Sequence, residues 1–312
     1  MGLDLQTVQH LVTALLNLAV ALLTGACVSR LWLDRQTSPW SEARRRPVHR
    51  AAITGAVLAL LANVAVLWLE AAVMAEVPAT EAAGATYTML TATHFGLAWA
   101  IGTVALAAAS VAACRRTGRS PGLALSALAS LCVFWYTRSM VSHAAGKGDL
   151  GLPMLADWLH LGLISLWVGV VILAGTVMLR QSEGMTAIDR RARAAYVASL
   201  SSSATVALAG IFVTGLYAAW RNLGDLGNIV GNPYGNTLVA KLLLVGMAAL
   251  LGGFNRFIVM PPWLARESAG HPVAELLPAR FRHIVWIEAI VLLAVVVLAA
   301  WLASTSPPGE QM

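Results

Sequence analysis

The 312-residue chain is 58% hydrophobic and only 12% charged, with a mean hydropathy of +0.72 and a formal net charge of +6. A soluble domain carries about 25% charged residues, so this composition excludes an ordinary water-soluble fold and fits a surface that faces a lipid bilayer. The basic balance implies no nucleic-acid partner, because the Lys and Arg residues lie in loops between apolar spans, where membrane topology accounts for them.

A transmembrane helix needs roughly 20 mostly apolar residues. By that measure the chain reads as about eight spans, at 8–33, 51–77, 86–113, 122–143, 154–179, 195–220, 236–259 and 283–303. Basic residues orient them. Arg30, Arg35, Arg44, Arg45, Arg46 and Arg50 lie at the end of span 1 or in the loop after it, and Arg115, Arg116 and Arg119 follow span 3. Arg180, Arg190, Arg191 and Arg193 follow span 5, and Arg256, Arg266, Arg280 and Arg282 lie at or after the end of span 7. The opposite side keeps only Arg138, Lys147, Arg221 and Lys241. The positive-inside rule then places both termini on the outer side, in agreement with an even span count. The expectation is an all-α integral membrane protein, a single transmembrane domain over 1–312 with no internal repeat. Its longest loop, about 260–282, contains the sequence MPPW and has room for a short interfacial helix.

Cys27, Cys114 and Cys132 form neither a CxxC pair nor the CxxCH signature of c-type haem attachment. Residues 1–9 hold no Lys or Arg, and the first apolar stretch ends in Arg30, Trp32 and Arg35 without a small-residue cleavage site, so no cleavable signal peptide is expected.

Ionisable groups at membrane depth are costly and mark functional sites by default. At about 1.5 Å per residue, His94 in span 3 and His160 in span 5 lie about two turns below the outer ends, and Glu70 in span 2 lies at a similar depth. Above them come Met89, Met140, His143, Met154 and Asp157, with Met74 and His10 near the outer ends of spans 2 and 1. Asp157 and His160 share a helix face at i, i+3, as do Met140 and His143. A lone Met in an apolar helix is usually filler, and a His near a helix end often meets only water. Gathered at one face, however, thioethers and imidazoles suit a soft or borderline metal, with copper first: sulfur favours Cu(I), and imidazole and carboxylate also accept Cu(II). A second reading uses the same histidines as the axial ligands of haem b in an electron-transfer protein. Glu288 in span 8 and Asn255–Arg256 in span 7 lie near the inner ends of their helices and are expected to pair. Cys27 and Cys114, also near the inner face, are candidates for a weak Cu(I) exit site.

The segment SHAAGKGDLGLPMLADWLHLGLISLWVGVVIL, residues 142–173, resembles the copper resistance protein D (CopD) family. The resemblance rests on Ser142–His143–Ala144, on Asp157 and His160, and on Trp167 and Gly169. It continues in TGLYAAW (214–220), NPYGNTLVAKLLL (232–244) and GFNRFIVMP (253–261), is strongest over 140–305, and covers the first half only in span layout. The Gly usually found between Ser and His in that family is missing here. The resemblance implies copper transport across the bacterial inner (cytoplasmic) membrane. It also implies a periplasmic copper-binding partner, CopC, on a separate chain. The chain has no GxxxxGK[ST] motif, so transport is expected to be facilitated or driven by membrane potential or protons, without an enzymatic activity. A copper-binding accessory protein that does not transport is the remaining reading.

Overall fold

The computed structural model describes residues 4–115, 119–142, 150–180, 184–268, 276–303 and 305. His143, together with Lys147, lies outside the described residues. The described chain is built from helices: α1 Leu5–Asp34, α2 Pro39–Met74, α3 Ala83–Ala92, α4 His94–Cys114, α5 Pro121–Ser139, α6 Leu152–Leu173, α7 Ala187–Leu223, α8 Pro233–Phe254, α9 Met260–Ser268 and α10 Leu276–Ala303. Single π-helical turns extend α6 over Ala174–Met178 and join α8 to α9 over Asn255–Val259.

Local chemistry sets the helix starts. Asp4 caps α1 by accepting from the Thr7 N–H at 3.1 Å, and Asn232 caps α8 through the Gly235 N–H at 2.8 Å, with Pro233 in the first turn. Ser38 and Ser41 form a reciprocal capping box ahead of α2, and Thr186 and Asp189 form another ahead of α7. These caps explain why both helices start well before the apolar residues do. Residues 39–50 and 187–194, expected as loop, are helix that carries the arginines away from the apolar portion. The MPPW segment does form a short helix, α9, directly continuing α8.

Seven of the helices, counting their π-turn and α9 extensions, are long and apolar enough to cross a membrane. The expectation of about eight is met only this far. The remaining candidate, α5, forms as a 19-residue helix, but Ser126, Ser130, Thr137 and Arg138 dilute its apolar content. It still packs against α4, α1 and α6. Span 3 is also not one continuous helix. Thr93 leaves helical geometry (φ −124°, ψ 154°), its hydroxyl accepts from the Gly96 N–H at 3.0 Å, and it donates to the Met89 carbonyl at 2.6 Å. A short helix, α3, therefore stacks on the start of α4. Gly96 permits this, since a Cβ there would stand 2.3 Å from the Met89 carbonyl oxygen.

The outer surface carries apolar side chains that a soluble protein would bury. Leu61, Val104, Phe212, Leu243, Leu250 and Phe257 are each more than 60% exposed, which fits lipid contact. Helix α1 is central and packs against α2, α6, α5 and α10. Its Ala21-xxx-Gly25 stripe meets Gly169 of α6 at backbone distance, the small-residue packing that membranes favour. A Cβ on Gly169 would lie 1.9 Å from the Ala21 carbonyl oxygen. The ring of His10 near the start of α1 packs at a tilt against Trp301 near the end of α10, with ring centroids 4.8 Å apart, so the first and last helices meet at one end of the bundle. The opposite end is rich in arginine and is tied by the Ser29–Tyr196 hydroxyl pair at 3.0 Å, by Trp40 N–H donating to Asp189 at 2.7 Å, and by the Arg45–Asp34 ion pair at 2.7 Å.

Gly169→Val is expected to force α1 and α6 apart and to cost roughly 1–3 kcal/mol, in the range of overpacking. Gly175→Ala meets nothing closer than 3.7 Å and should be near neutral. Thermal unfolding of the two purified variants compares them, and equal melting temperatures would remove the assigned role of the Gly25–Gly169 contact.

Candidate functional site

The polar groups buried at the terminus end of the bundle come from six helices. On α2, Glu70 accepts a short hydrogen bond from Gln9 Nε2 of α1. On α6, Asp157 accepts from the Ser142 hydroxyl at 2.9 Å. One turn further along α6, His160 Nδ1 pairs with the Thr214 hydroxyl of α7 at 2.8 Å, and that hydroxyl donates onward to the Gly210 carbonyl at 2.7 Å. The His160 ring also closes on Gly215, where a Cβ would stand 3.3 Å from its Cε1. The Ser142 and Asp157 parts of the sequence pattern, 15 residues apart, therefore meet in space.

Two cations complete this cluster. Arg138 of α5 lies within electrostatic reach of both Glu70 and Asp157. Lys241 of α8 lies within reach of Asp157 and of His160. All four charged side chains are partly buried. Two carboxylates and two basic groups thus balance one another across α2, α5, α6 and α8. On sequence, Arg138 and Lys241 served only to orient the spans. Their depth within apolar helices, on the side poor in basic residues, was the available signal that they do more.

The other candidate ligands are dispersed. His94 opens α4 on the exposed face of the α3–α4 junction, in a shallow groove with Leu90, Thr91, Trp99 and Thr103. The expected two-turn depth is lost because span 3 breaks at Thr93. Met89 is buried in a small cluster with Leu67, Ala71, Phe95 and Trp99. Met154 is fully buried at the start of α6, Met140 is partly buried at the end of α5, and Met74 is 69% exposed. His10 is buried, and neither of its ring nitrogens has a hydrogen-bond partner among the described residues. The common layer of His94, His160 and Glu70 is not assembled: among the described residues no three His, Cys, Asp or Glu side chains stand close enough to hold one metal ion. The physical reason is that Glu70 turns to Gln9, His160 turns to Thr214, and His94 faces outward.

At the other end of the bundle the expected pairing of Glu288 with Arg256 does not form. Glu288 accepts from Trp167 Nε1 at 3.1 Å, and Arg256 donates to Ser201 at 2.7 Å. Cys27 and Cys114 lie within electrostatic reach of each other near the arginine-rich end.

These features define a multi-pass membrane protein, a helical bundle that buries a charge-balanced polar cluster near one end. Two family models match it in succession, the copper resistance protein D-like N-terminal domain over residues 4–152 and copper resistance protein D over residues 194–302. The chain belongs to the copper resistance protein D family. It is 29% identical over 251 residues to the copper resistance protein D of Pseudomonas syringae pv. tomato, covering 78% of this chain and 75% of that protein. No solved structure matches it. The N-terminal match extends the likeness to the half that showed only a similar span layout. Residues 153–193, with Asp157, His160, Trp167 and Gly169, fall between the two matched segments.

Asp157→Asn leaves Arg138 and Lys241 with one fewer compensating carboxylate and is expected to destabilise the bundle by on the order of 3 kcal/mol. Adding Arg138→Gln to it should cost less than Arg138→Gln costs alone, with a coupling of at least about 0.5 kcal/mol. Chemical unfolding of the four proteins measures this, and strict additivity would show that the two groups do not interact.

Proposed function

We propose that the protein moves copper ions across the bacterial inner membrane, in the direction of uptake, through the polar cluster at the terminus end of the bundle. The observation that carries this reading is the convergence of Glu70, Asp157 and His160, with Arg138 and Lys241, inside apolar helices of a copper resistance family member. Carboxylate and imidazole ligands accept Cu(II), and thioethers accept Cu(I). Each of these three groups already holds a hydrogen-bond partner and the three do not meet at one point, so a moving cation meets them in succession, taking the place of Gln9, Ser142 or Thr214 at each. Arg138 and Lys241 balance the carboxylates while the ion is absent. His10, Met140 and Met154 supply further donors toward the same end, and His94 and Met89 belong to the α3–α4 junction beside it.

The terminus end is the periplasmic face in this reading, because the arginines gather at the other. The His10–Trp301 contact supports an even number of crossings, with α5 as the eighth. A CopC-like copper-binding protein is the partner expected at that face. The haem b reading needs two imidazoles on opposite faces of one porphyrin. With His94 in the α3–α4 groove and His160 between α6 and α7, nothing in the geometry favours it.

Copper entry into sealed proteoliposomes tests the proposal. Wild-type flux should fall at least tenfold in His160→Ala, whereas His94→Ala alone should keep most of it. Full flux in a well-folded His94→Ala/His160→Ala protein would sink the site. Absence of wild-type flux would sink transport, and a Soret band in the same sample would restore the haem reading.

A further inference from the structure

At the arginine-rich end, the starts of α2 and α5 and the ends of α1 and α4 enclose a cavity of about 710 Å³. Six arginines line it: Arg30, Arg45, Arg46, Arg50, Arg115 and Arg119. Its one carboxylate, Glu42, is already shared, accepting from Arg119 at 2.8 Å and pairing with Arg45 at 2.9 Å. Asp34 takes Arg45 Nη1 at 2.7 Å, and Arg45 Nη2 remains buried without a hydrogen-bond partner among the described residues. The guanidinium groups of Arg46, Arg50 and Arg115 have no hydrogen-bond or ion-pair partner among the described residues either. His49 also lines it, and the remaining walls, including Ala26, Cys27 and Ala113, are apolar.

The positive-inside rule accounts for arginines at this end, but it does not require them to converge on one cavity. Guanidinium forks match phosphate oxygens in bidentate geometry. Basic pockets between membrane helices on the cytoplasmic side suit acidic lipid headgroups. We propose that this cavity is a binding site for a phosphate-bearing anion, held by Arg46, Arg50 and Arg115 with Arg45 behind them. The site lies at the end of the bundle opposite the polar cluster and is independent of the copper reading. An acidic phospholipid headgroup and a soluble phosphate share this chemistry. In either case the anion would tie α2 to α1 and α4 by cancelling the mutual repulsion of the arginines.

The test is the melting temperature of the full chain, stripped of lipid in neutral detergent. It is measured with phosphatidylglycerol, with phosphatidylcholine, and with inorganic phosphate against chloride at matched ionic strength. The expected result is a rise of at least about 4 °C that disappears in Arg46→Gln/Arg50→Gln/Arg115→Gln and persists in Arg191→Gln/Arg266→Gln, whose arginines sit exposed elsewhere at the same end. A rise with phosphatidylglycerol alone identifies the lipid as the source. A rise with inorganic phosphate identifies a soluble anion. No rise with either, or a rise that the triple variant keeps, overturns the proposal. If the triple variant does not fold, Arg50→Gln alone must weaken the apparent affinity at least threefold, and unchanged affinity overturns the proposal equally.

Discussion

Hydrocarbon offers no hydrogen bonds, so each polar group carried into the bilayer must find its partner within the protein. That constraint organises this bundle. It explains why Ser and Thr hydroxyls along the helices donate back to their own carbonyls, as Thr24 does to Val20 and Ser110 to Leu106. It explains why Asn63 of α2 reaches Thr103 of α4 at 2.8 Å, and why Trp99 Nε1 donates to the Asn63 carbonyl at 3.0 Å. It also makes the cluster of Glu70, Arg138, Asp157, His160 and Lys241 meaningful. These groups lie in a costly place, and they are held there by one another.

The two ends of the molecule meet this constraint differently. At the terminus end a few charges are drawn between the helices and balanced, with their positions fixed by hydroxyl and amide partners. At the other end many arginines stand at the mouth of the bundle, where water and headgroups meet them. There they are tied by helix caps, by backbone carbonyls such as Arg180 O accepting from Arg44 at 2.9 Å, and by stacking such as Arg193 over Trp263. A metal cation suits the first environment and an anion the second. The small-residue contact of α1 with α6 lies between them and brings the two halves of the chain to backbone distance.

Much of the architecture was legible because its signal is local. Apolar run length marks the helices, and arginine placement separates the ends. The details that were not legible depend on single side chains. Thr93 and Gly96 split the third span, and a hydropathy pattern cannot register a cap inside an apolar run. The capping boxes at Ser38 and Thr186 lengthen α2 and α7 through segments whose arginines read as loop. The π turn before Pro261 and Pro262 lets the eighth helix run on into the ninth.

The sequence by itself determined that this is a helical membrane protein of the copper resistance D type, and which end of each helix carries His, Met and acidic groups. Composition and spacing act through transfer energies and the helical repeat, and both can be read without knowing which helices touch. Only the tertiary structure decided which of those groups meet. It joined His160 to Thr214, Asp157 to Ser142 and Glu70 to Gln9, turned His94 outward, and drew Arg138 and Lys241 into the cluster. Depth along a helix follows from residue number, but the direction a side chain faces depends on helix rotation and on neighbours distant in sequence. Packing between helices sets both.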